Sequence, residues 1–575
     1  MPAAIELNQL CKSFGAGLPD AIKSISASLG KNRITGLVGP DGAGKTTLMR
    51  LMAGLLAPTQ GSLRVLGVDP LQASHSLHEQ LAYMPQKFGL YEDLTVLENL
   101  TLHADLRHVV GVDRQAAFQR LLTLTDLSAF TGRFAGKLSG GMKQKLGLAC
   151  SLLGSPKLLL LDEPSVGVDP ISRRELWKMV RDLCAKGITV VWCTSYLDEA
   201  QLCDDVMLMN QGELVAFGHP QQISASMQGR SVLVSGVQGN QRQALTRLLR
   251  APQVTDGVIQ GKKLRLVLRD AATLPDFDAL DAGPNVNVQL TQPNLEDAFI
   301  SLLGGGPGGE SELAKVMPQV ELDASVPRDG VIHAQQLSKQ FGDFVATDRV
   351  TFKVQQGEIF GLLGPNGAGK STTFKMMCGL LKPSAGQAQV MGIDLKTRAA
   401  QARQHLGYMA QKFSLYTNLT VLQNLKFFSG LYGLSGQRQT AKITQMVDVF
   451  AFSAYLKTPA GQLPLGFKQR LALACCVMHE PQLLFLDEPT SGVDPVTRRE
   501  FWNHINSLTQ KGVTVMVTTH FMDEAQYCDR IALVYQGRII ASGTPDALKL
   551  SVASSRRPDP SMEDAFVSLV EQANL

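Results

Sequence analysis

Two octapeptides carry the residue types of a phosphate cradle: Gly39-Pro-Asp-Gly-Ala-Gly-Lys-Thr46 and Gly364-Pro-Asn-Gly-Ala-Gly-Lys-Ser371. Each follows an apolar run and opens into helical spacing, the context that G-x-x-x-x-G-K-[ST] requires. Gly39, Gly42, Gly44 and their counterparts Gly364, Gly367, Gly369 let the backbone curl so that N–H groups point inward. The helix start behind adds a partial positive charge. Lys45 and Lys370 can reach β- and γ-phosphates, and Thr46 and Ser371 can hold Mg²⁺. Thr47, Asn366 and Thr372 complete the expected nucleotide contacts.

Each loop lysine is followed, 117 residues later, by the first member of an acidic pair: Asp162-Glu163 after Leu158–Leu161, and Asp487-Glu488 after Leu483–Leu486. The aspartate can serve the same Mg²⁺ through water as partner of the loop hydroxyl. The glutamate is placed to orient a water attacking the γ-phosphate. An isolated acidic strand end is more often a helix cap, but the repeated spacing favours chemistry. Gln86 and Gln411 each follow a Tyr-Met-x strand end, where a glutamine could touch both Mg²⁺ and the attacking water. Ser139, Gly140 and Gly141 open the helical run Leu146–Leu153 and form a further anion site, a role compatible with an ordinary N-cap.

The elements that must position these groups are duplicated. An offset of 325 residues links Lys45 with Lys370, Tyr83-Met-Pro-Gln86 with Tyr408-Met-Ala-Gln411, and Tyr196-Leu-Asp-Glu-Ala200 with Phe521-Met-Asp-Glu-Ala525. The chain therefore holds two α/β domains, each with short apolar runs that read as parallel strands buried on both faces. A helical subdomain is expected at 95–155 and again at 420–480. The organisation is a first ATPase-like domain at 1–227, a small α+β appendage at 228–303, a flexible glycine-rich linker at 304–330, a second domain at 331–550 and a helical tail at 551–575. The appendage carries the runs Ser231–Val234, Lys263–Leu268 and Val286–Leu290, with a helix at Gln241–Arg250. Both tails end in Glu-Asp-Ala-Phe amphipathic helices, at Pro293–Leu303 and Pro560–Val570.

Composition narrows the class. With 44% hydrophobic and 18% charged residues the chain is globular, and a net charge of +4 over 575 residues gives no reason to expect nucleic acid. Nine cysteines without C-x-x-C pairs suit buried thiols in a reducing compartment. The N-terminus lacks a signal-peptide pattern, and no apolar run reaches membrane-spanning length, so any membrane role is expected to come through a partner.

Phosphate loop, loop glutamine, Leu138-Ser-Gly-Gly141, Asp-Glu strand end, Gly-Val-Asp turn (Gly167–Asp169, Gly492–Asp494) and Thr518-Thr-His520 stand in the order found in ABC ATPases. The chain resembles that family over both copies, which implies RecA-like cores with an inserted helical subdomain. The Gln-Lys-Phe-x-Leu-Tyr segments and the Glu-Asp-Ala-Phe tails resemble tandem ATP-binding subunits of ABC-2-type exporters. The resemblance implies ATP and Mg²⁺ as ligands, two integral membrane permease subunits as partners, and a peripheral place on the cytoplasmic face of a bacterial inner membrane. It also implies head-to-tail pairing of the two domains within one chain, His520 at the γ-phosphate, and Phe14 and Phe341 as adenine-stacking rings; core packing is the alternative for both rings. Phe88, Leu90, Tyr91 and Phe413, Leu415, Tyr416 are either docking patches for the permeases or packing within the helical subdomain. A soluble tandem ATPase acting on ribosomes or DNA is the rival class; the glycine-rich linker and the lack of zinc cysteine pairs disfavour it.

The copies depart from the pattern in different places. The first has Cys193-Thr-Ser195 where the second has Thr518-Thr-His520. The second has Pro464-Leu465 where the first has Ser139-Gly140. Pro464 lacks both hydroxyl and N–H, and Leu465 adds a side chain where glycine allows close approach. Under head-to-tail pairing both defects fall on one composite site. Glu163 would then sit in a slow site, and Gln411, Glu488 and His520 in a competent one.

Overall fold

The computed structural model describes residues 3–15, 20–72, 74–86, 89–271, 273–277, 285–309, 311–321, 326, 330–411, 415–555 and 557–573. They form two compact units: one of Met1–Gln228, Gln292–Gly304 and Gly492–Pro495, the other of Gly229–Thr291, Gly305–Ser491 and Val496–Leu575.

In the first unit a six-stranded sheet runs in the order Leu81–Met84, Leu158–Asp162, Thr189–Cys193, Ile34–Val38, Asp205–Asn210 and Glu213–Gly218. The first five strands are parallel, and the last pairs antiparallel. Every residue of Ile34–Val38, Leu158–Asp162 and Thr189–Cys193 is buried, which is why these strands read as unbroken apolar runs rather than alternating ones. Helix Lys45–Met52 fills the space between this sheet and a three-stranded antiparallel sheet of Ala3–Lys12, Ile22–Gly30 and Gln60–Val65. The inserted helices are Val96–Leu106, Gly111–Thr125 and Gly140–Ser151. The first starts at a capping box, with Thr95 and Glu98 satisfying each other's backbone N–H. The tail helix Leu295–Leu302 packs on helices Leu197–Gln201 and Pro220–Ala225.

The second unit repeats this plan. Its six-stranded sheet runs Leu406–Met409, Leu483–Asp487, Thr514–Thr519, Ile359–Leu363, Arg530–Tyr535, Arg538–Gly543, and its inserted helices are Val421–Leu431, Gly436–Val449 and Leu465–Val477. The unit also contains the appendage, an antiparallel sheet ordered Val254–Gln260, Lys263–Leu268, Ser231–Ser235, Asn287–Leu290, with helix Gln241–Leu248 packed on it. Strand Val254–Gln260 was not expected from sequence, because Asp256 and Gly257 interrupt it with residues that strands disfavour. Both have tertiary reasons. Asp256 is buried against Arg499, and a Cβ on Gly257 would meet Leu266 at 2.7 Å. Within the glycine-rich stretch a short helix, Glu312–Val316, buries Leu313, and Ser311 Oγ lies 2.8 Å from His504 Nδ1. This segment is packed where a flexible linker was expected.

Candidate functional site

Both phosphate loops sit between a buried parallel strand and a helix start, at the carboxyl ends of the sheet strands, where α/β folds bind ligands. Glycine is obligatory at the loop ends for steric reasons. A Cβ on Gly364 would lie 2.1 Å from the Val534 carbonyl, and Gly369 holds φ 98° with the Ala346 carbonyl 2.4 Å from its Cβ position. Gly39 and Gly44 meet equivalent carbonyls at 2.3 Å. Lys370 Nζ donates to the Gly364 and Pro365 carbonyls at 2.7 and 3.0 Å, and Lys45 Nζ to Gly39 and Pro40 at 2.7 and 3.1 Å. The loops thus hold their ammonium groups inside the curl.

Ser371 Oγ donates to Asp487 Oδ1 at 3.2 Å, and Thr46 Oγ1 to Asp162 Oδ1 at 3.4 Å. One hydroxyl and one carboxylate at this spacing suit Mg²⁺, which is held by few protein ligands and completed by phosphate oxygens and water. No cluster of three or more carboxylates, thiols or imidazoles exists among the described residues. Two further partners of the aspartates were not singled out from sequence. Tyr83 Oη donates to Asp162 Oδ2 at 3.2 Å, and Thr518 Oγ1 donates to Asp487 Oδ1. Burial, reinforced by the Asp162 charge, pushes the Tyr83 phenol up to about 12. The repeated Tyr-Met strand end and the Thr-Thr-His run carried the signal for both.

The two glutamates share a backbone geometry and differ in their surroundings. Each takes a left-handed backbone conformation, φ 53° at Glu163 and 49° at Glu488, uncommon for a side chain of this type and typical of strain held at functional sites. Burial raises both carboxyls, and their neighbours decide the outcome. Around Glu488, burial is outweighed by His520 Nδ1 3.0 Å from Oε2, by Lys370 Nζ 3.7 Å from Oε1 and by the Gln411 amide donating at 2.8 Å, so the carboxyl falls from 4.5 to about 2. Around Glu163, burial prevails over Lys45 and over the Ser195 hydroxyl and amide, which donate at 2.5 and 3.1 Å, and the carboxyl rises to about 7. Glu488 is therefore a committed anion joined to a glutamine and a histidine. Burial holds the Glu163 carboxyl well above the usual carboxylate range, and both its oxygens accept from Ser195.

Gln411, Glu488 and His520 come together as one cluster, whereas Gln86 is exposed and no hydrogen bond joins it to Glu163. Phe14 and Phe341 are 56% and 49% exposed, with Lys12 and Lys339 ammonium groups 5.3 and 5.1 Å from their ring centres. Neither ring packs in the core. Tyr91 and Tyr416 are exposed and Leu415 is buried, while Phe88 and Phe413 lie outside the described residues. At the signature, the Ser139 hydroxyl caps helix Gly140–Ser151 by accepting from the Met142 amide at 3.2 Å, and a Cβ on Gly141 would meet Ser172 at 2.7 Å. The corresponding helix Leu465–Val477 starts at Pro464 without a side-chain cap.

A family model described as ABC transporter matches residues 22–166 and 347–491. The chain is 60% identical over 568 residues, 99% of its length and 98% of the relative's, to "Probable multidrug ABC transporter ATP-binding protein YbhF" of Escherichia coli (strain K12), and equally to the protein of that name from Shigella flexneri. It is 41% identical over 218 residues, 38% of its length and 72% of the relative's, to "Nod factor export ATP-binding protein I" of Burkholderia lata.

Proposed function

This chain belongs to the ABC transporter family as an ATP-binding, ATP-hydrolysing subunit, and on that footing we propose that it is the tandem ATPase of an ABC-2-type exporter whose two sites turn over unequally. In this reading the phosphate loop Gly364–Ser371 holds the nucleotide that is hydrolysed. Ser371 and Asp487 hold Mg²⁺, which neutralises charge on the phosphates. Glu488 orients the attacking water, with Gln411 and His520 fixing its carboxylate. Ser139, Gly140 and Gly141 supply donors to the γ-phosphate from the first domain, in a head-to-tail pair. The loop Gly39–Thr46, with Thr46, Gln86, Asp162 and Glu163, faces Pro464 and Leu465 and hydrolyses slowly.

The observation that carries this reading is the different setting of the two glutamates: Glu488 is held by the Gln411 amide and His520 Nδ1, whereas both oxygens of Glu163 accept from Ser195. Removing one preorganised group from a developing phosphoryl charge costs about 10²–10³ in rate. Steady-state ATPase assays should show Glu488→Gln losing at least about a hundredfold and Glu163→Gln about threefold or less. Equal losses would overturn the asymmetry.

Export follows from the likeness to relatives named for multidrug transport and Nod factor export, and a drug or other amphiphile is the substrate class we propose. No helix among the described residues is long and apolar enough to cross a membrane, so the pathway is assigned to two permease subunits, with this chain peripheral on the cytoplasmic face of the inner membrane. Tyr91 and Tyr416, exposed at the starts of the inserted helices, are the surfaces we assign to docking them.

A further inference from the structure

The two ATPase copies share one register, so a charged residue present in one and missing from the other is informative. In the first copy Asp204 ties together the starts of two strands. Its Oδ2 accepts from the Ile34 amide at 2.8 Å, and its own amide donates to the Ile34 carbonyl at 2.9 Å. Arg181, on helix Pro170–Ala185 of the same domain, neutralises it, with Nη1 2.8 Å from Oδ1. Strand Ile34–Val38 then runs directly into Gly39.

The second copy keeps the tie but not the arginine. Asp529 bonds both ways with Ile359 at 2.8 and 2.9 Å, at the head of the strand that enters Gly364. The position of Arg181, 325 residues on, is Asn506, a neutral side chain too short for the task. The guanidinium comes instead from Arg242 on helix Gln241–Leu248 of the appendage, with Nη2 2.7 Å from Asp529 Oδ2 and Nε 3.0 Å from Asn506 Oδ1. A second ion pair from the appendage, Asp256 to Arg499 at 3.4 Å, is almost fully buried, whereas Arg174, the counterpart of Arg499, is exposed. Helix Pro495–Gln510 buries Arg499, Trp502 and Asn506 along the face that meets the appendage.

We infer that the appendage is a built-in positioning element of the second ATPase domain, and that Arg242 is its positioning residue, standing in for the arginine that the first copy draws from its own helix. Arg242 bonds at the Ile359 end of the strand, opposite the end that enters Gly364. It acts through Asp529 and the Ile359 main chain on the strand that carries the phosphate loop. Without it the Asp529 carboxylate keeps only neutral partners, and the loop is free to shift against Asp487 and Glu488; displacements of about 1 Å near chemistry cost up to about a hundredfold. Asn506 Oδ1 already accepts from Arg242 Nε at 3.0 Å, so an arginine at position 506 starts beside the space that Arg242→Ala vacates.

The size of the effect, though not its sign, rests on the second site being the faster one. With full-length chain and Mg-ATP, Arg242→Ala should lower kcat/KM about tenfold, Arg242→Lys about threefold, and Arg242→Ala with Asn506→Arg should return to within about twofold of wild type. Amide exchange at Ile359–Leu363 should quicken in the single alanine variant and recover in the double. If both sites contribute equally, turnover falls only by about half, yet the rescue persists; that result removes the asymmetry and keeps the inference. Unchanged kinetics in Arg242→Ala overturn it. A double variant that regains amide protection at Ile359–Leu363 but stays as slow as Arg242→Ala overturns it as well.

Discussion

Replacing the paired glutamates by glutamine should move stability in opposite directions, one in each unit. The Glu488 carboxyl lies at about 2 instead of 4.5; at about 1.4 kcal/mol per tenfold change, its ionised form adds about 3 kcal/mol to the folded second unit. A depressed carboxyl contributes fully above pH 4.5, and the contribution is lost as pH falls toward about 2. Glu163 has the reverse sign. Its carboxyl lies at about 7, so it costs nothing below pH 4.5 and about 3 kcal/mol once pH passes 7. Glu163→Gln is nearly isosteric, and the Ser195 hydroxyl can turn to accept from the new amide. It should stabilise the first unit by up to about 3 kcal/mol at pH 8 and by little at pH 5. Glu488→Gln should destabilise the second unit by about 3 kcal/mol at both pH values. Urea titrations read by hydrogen exchange at Leu158–Asp162 and at Leu483–Asp487 report the two units separately. Shifts of the same sign, or a Glu163→Gln gain that does not grow from pH 5 to pH 8, would refute the reasoning.

In a Glu488→Gln background, restoring the slow site with Pro464→Ser, Leu465→Gly and Ser195→His should raise the residual ATPase rate at least about tenfold, measured by phosphate release; no rise would sink the composite-site reading. Tyr91→Glu with Tyr416→Glu should leave basal ATPase within about twofold and abolish co-purification of two integral membrane proteins from detergent extracts, because a charge on an exposed apolar docking surface must be desolvated. Recovery of ribosomes or DNA with the unmodified chain would instead favour the rival class.

Much of the fold was legible because it is local or repetitive. Four consecutive leucines at Leu158–Leu161 mark a strand buried on both faces, and helical spacing marks the inserted helices that fall within 95–155. The appendage strand Val254–Gln260 was hidden because its Asp256 and Gly257 answer to partners elsewhere, Arg499 and the Leu245 and Leu266 side chains. The stretch Glu312–Val316 looked like a linker because its neighbours are glycines, yet Leu313 and Ser311 find a buried seat.

By itself the sequence determined that two phosphate loops exist and which residues form them, since a phosphate loop needs only its own glycines, lysine and helix start. It also determined that the copies have decayed in different places, because the register between them is unbroken. Only the tertiary structure decided what those differences do to charge. Glu163 and Glu488 are the same residue in the same motif, and they part because one meets a serine and the other a histidine and a glutamine in a buried site, where each neighbour counts for more than in water. Only the tertiary structure, too, decided that Arg242 serves Asp529, 287 residues away. A side chain's electrostatic partner is set by distance in space, and no spacing along the chain records it.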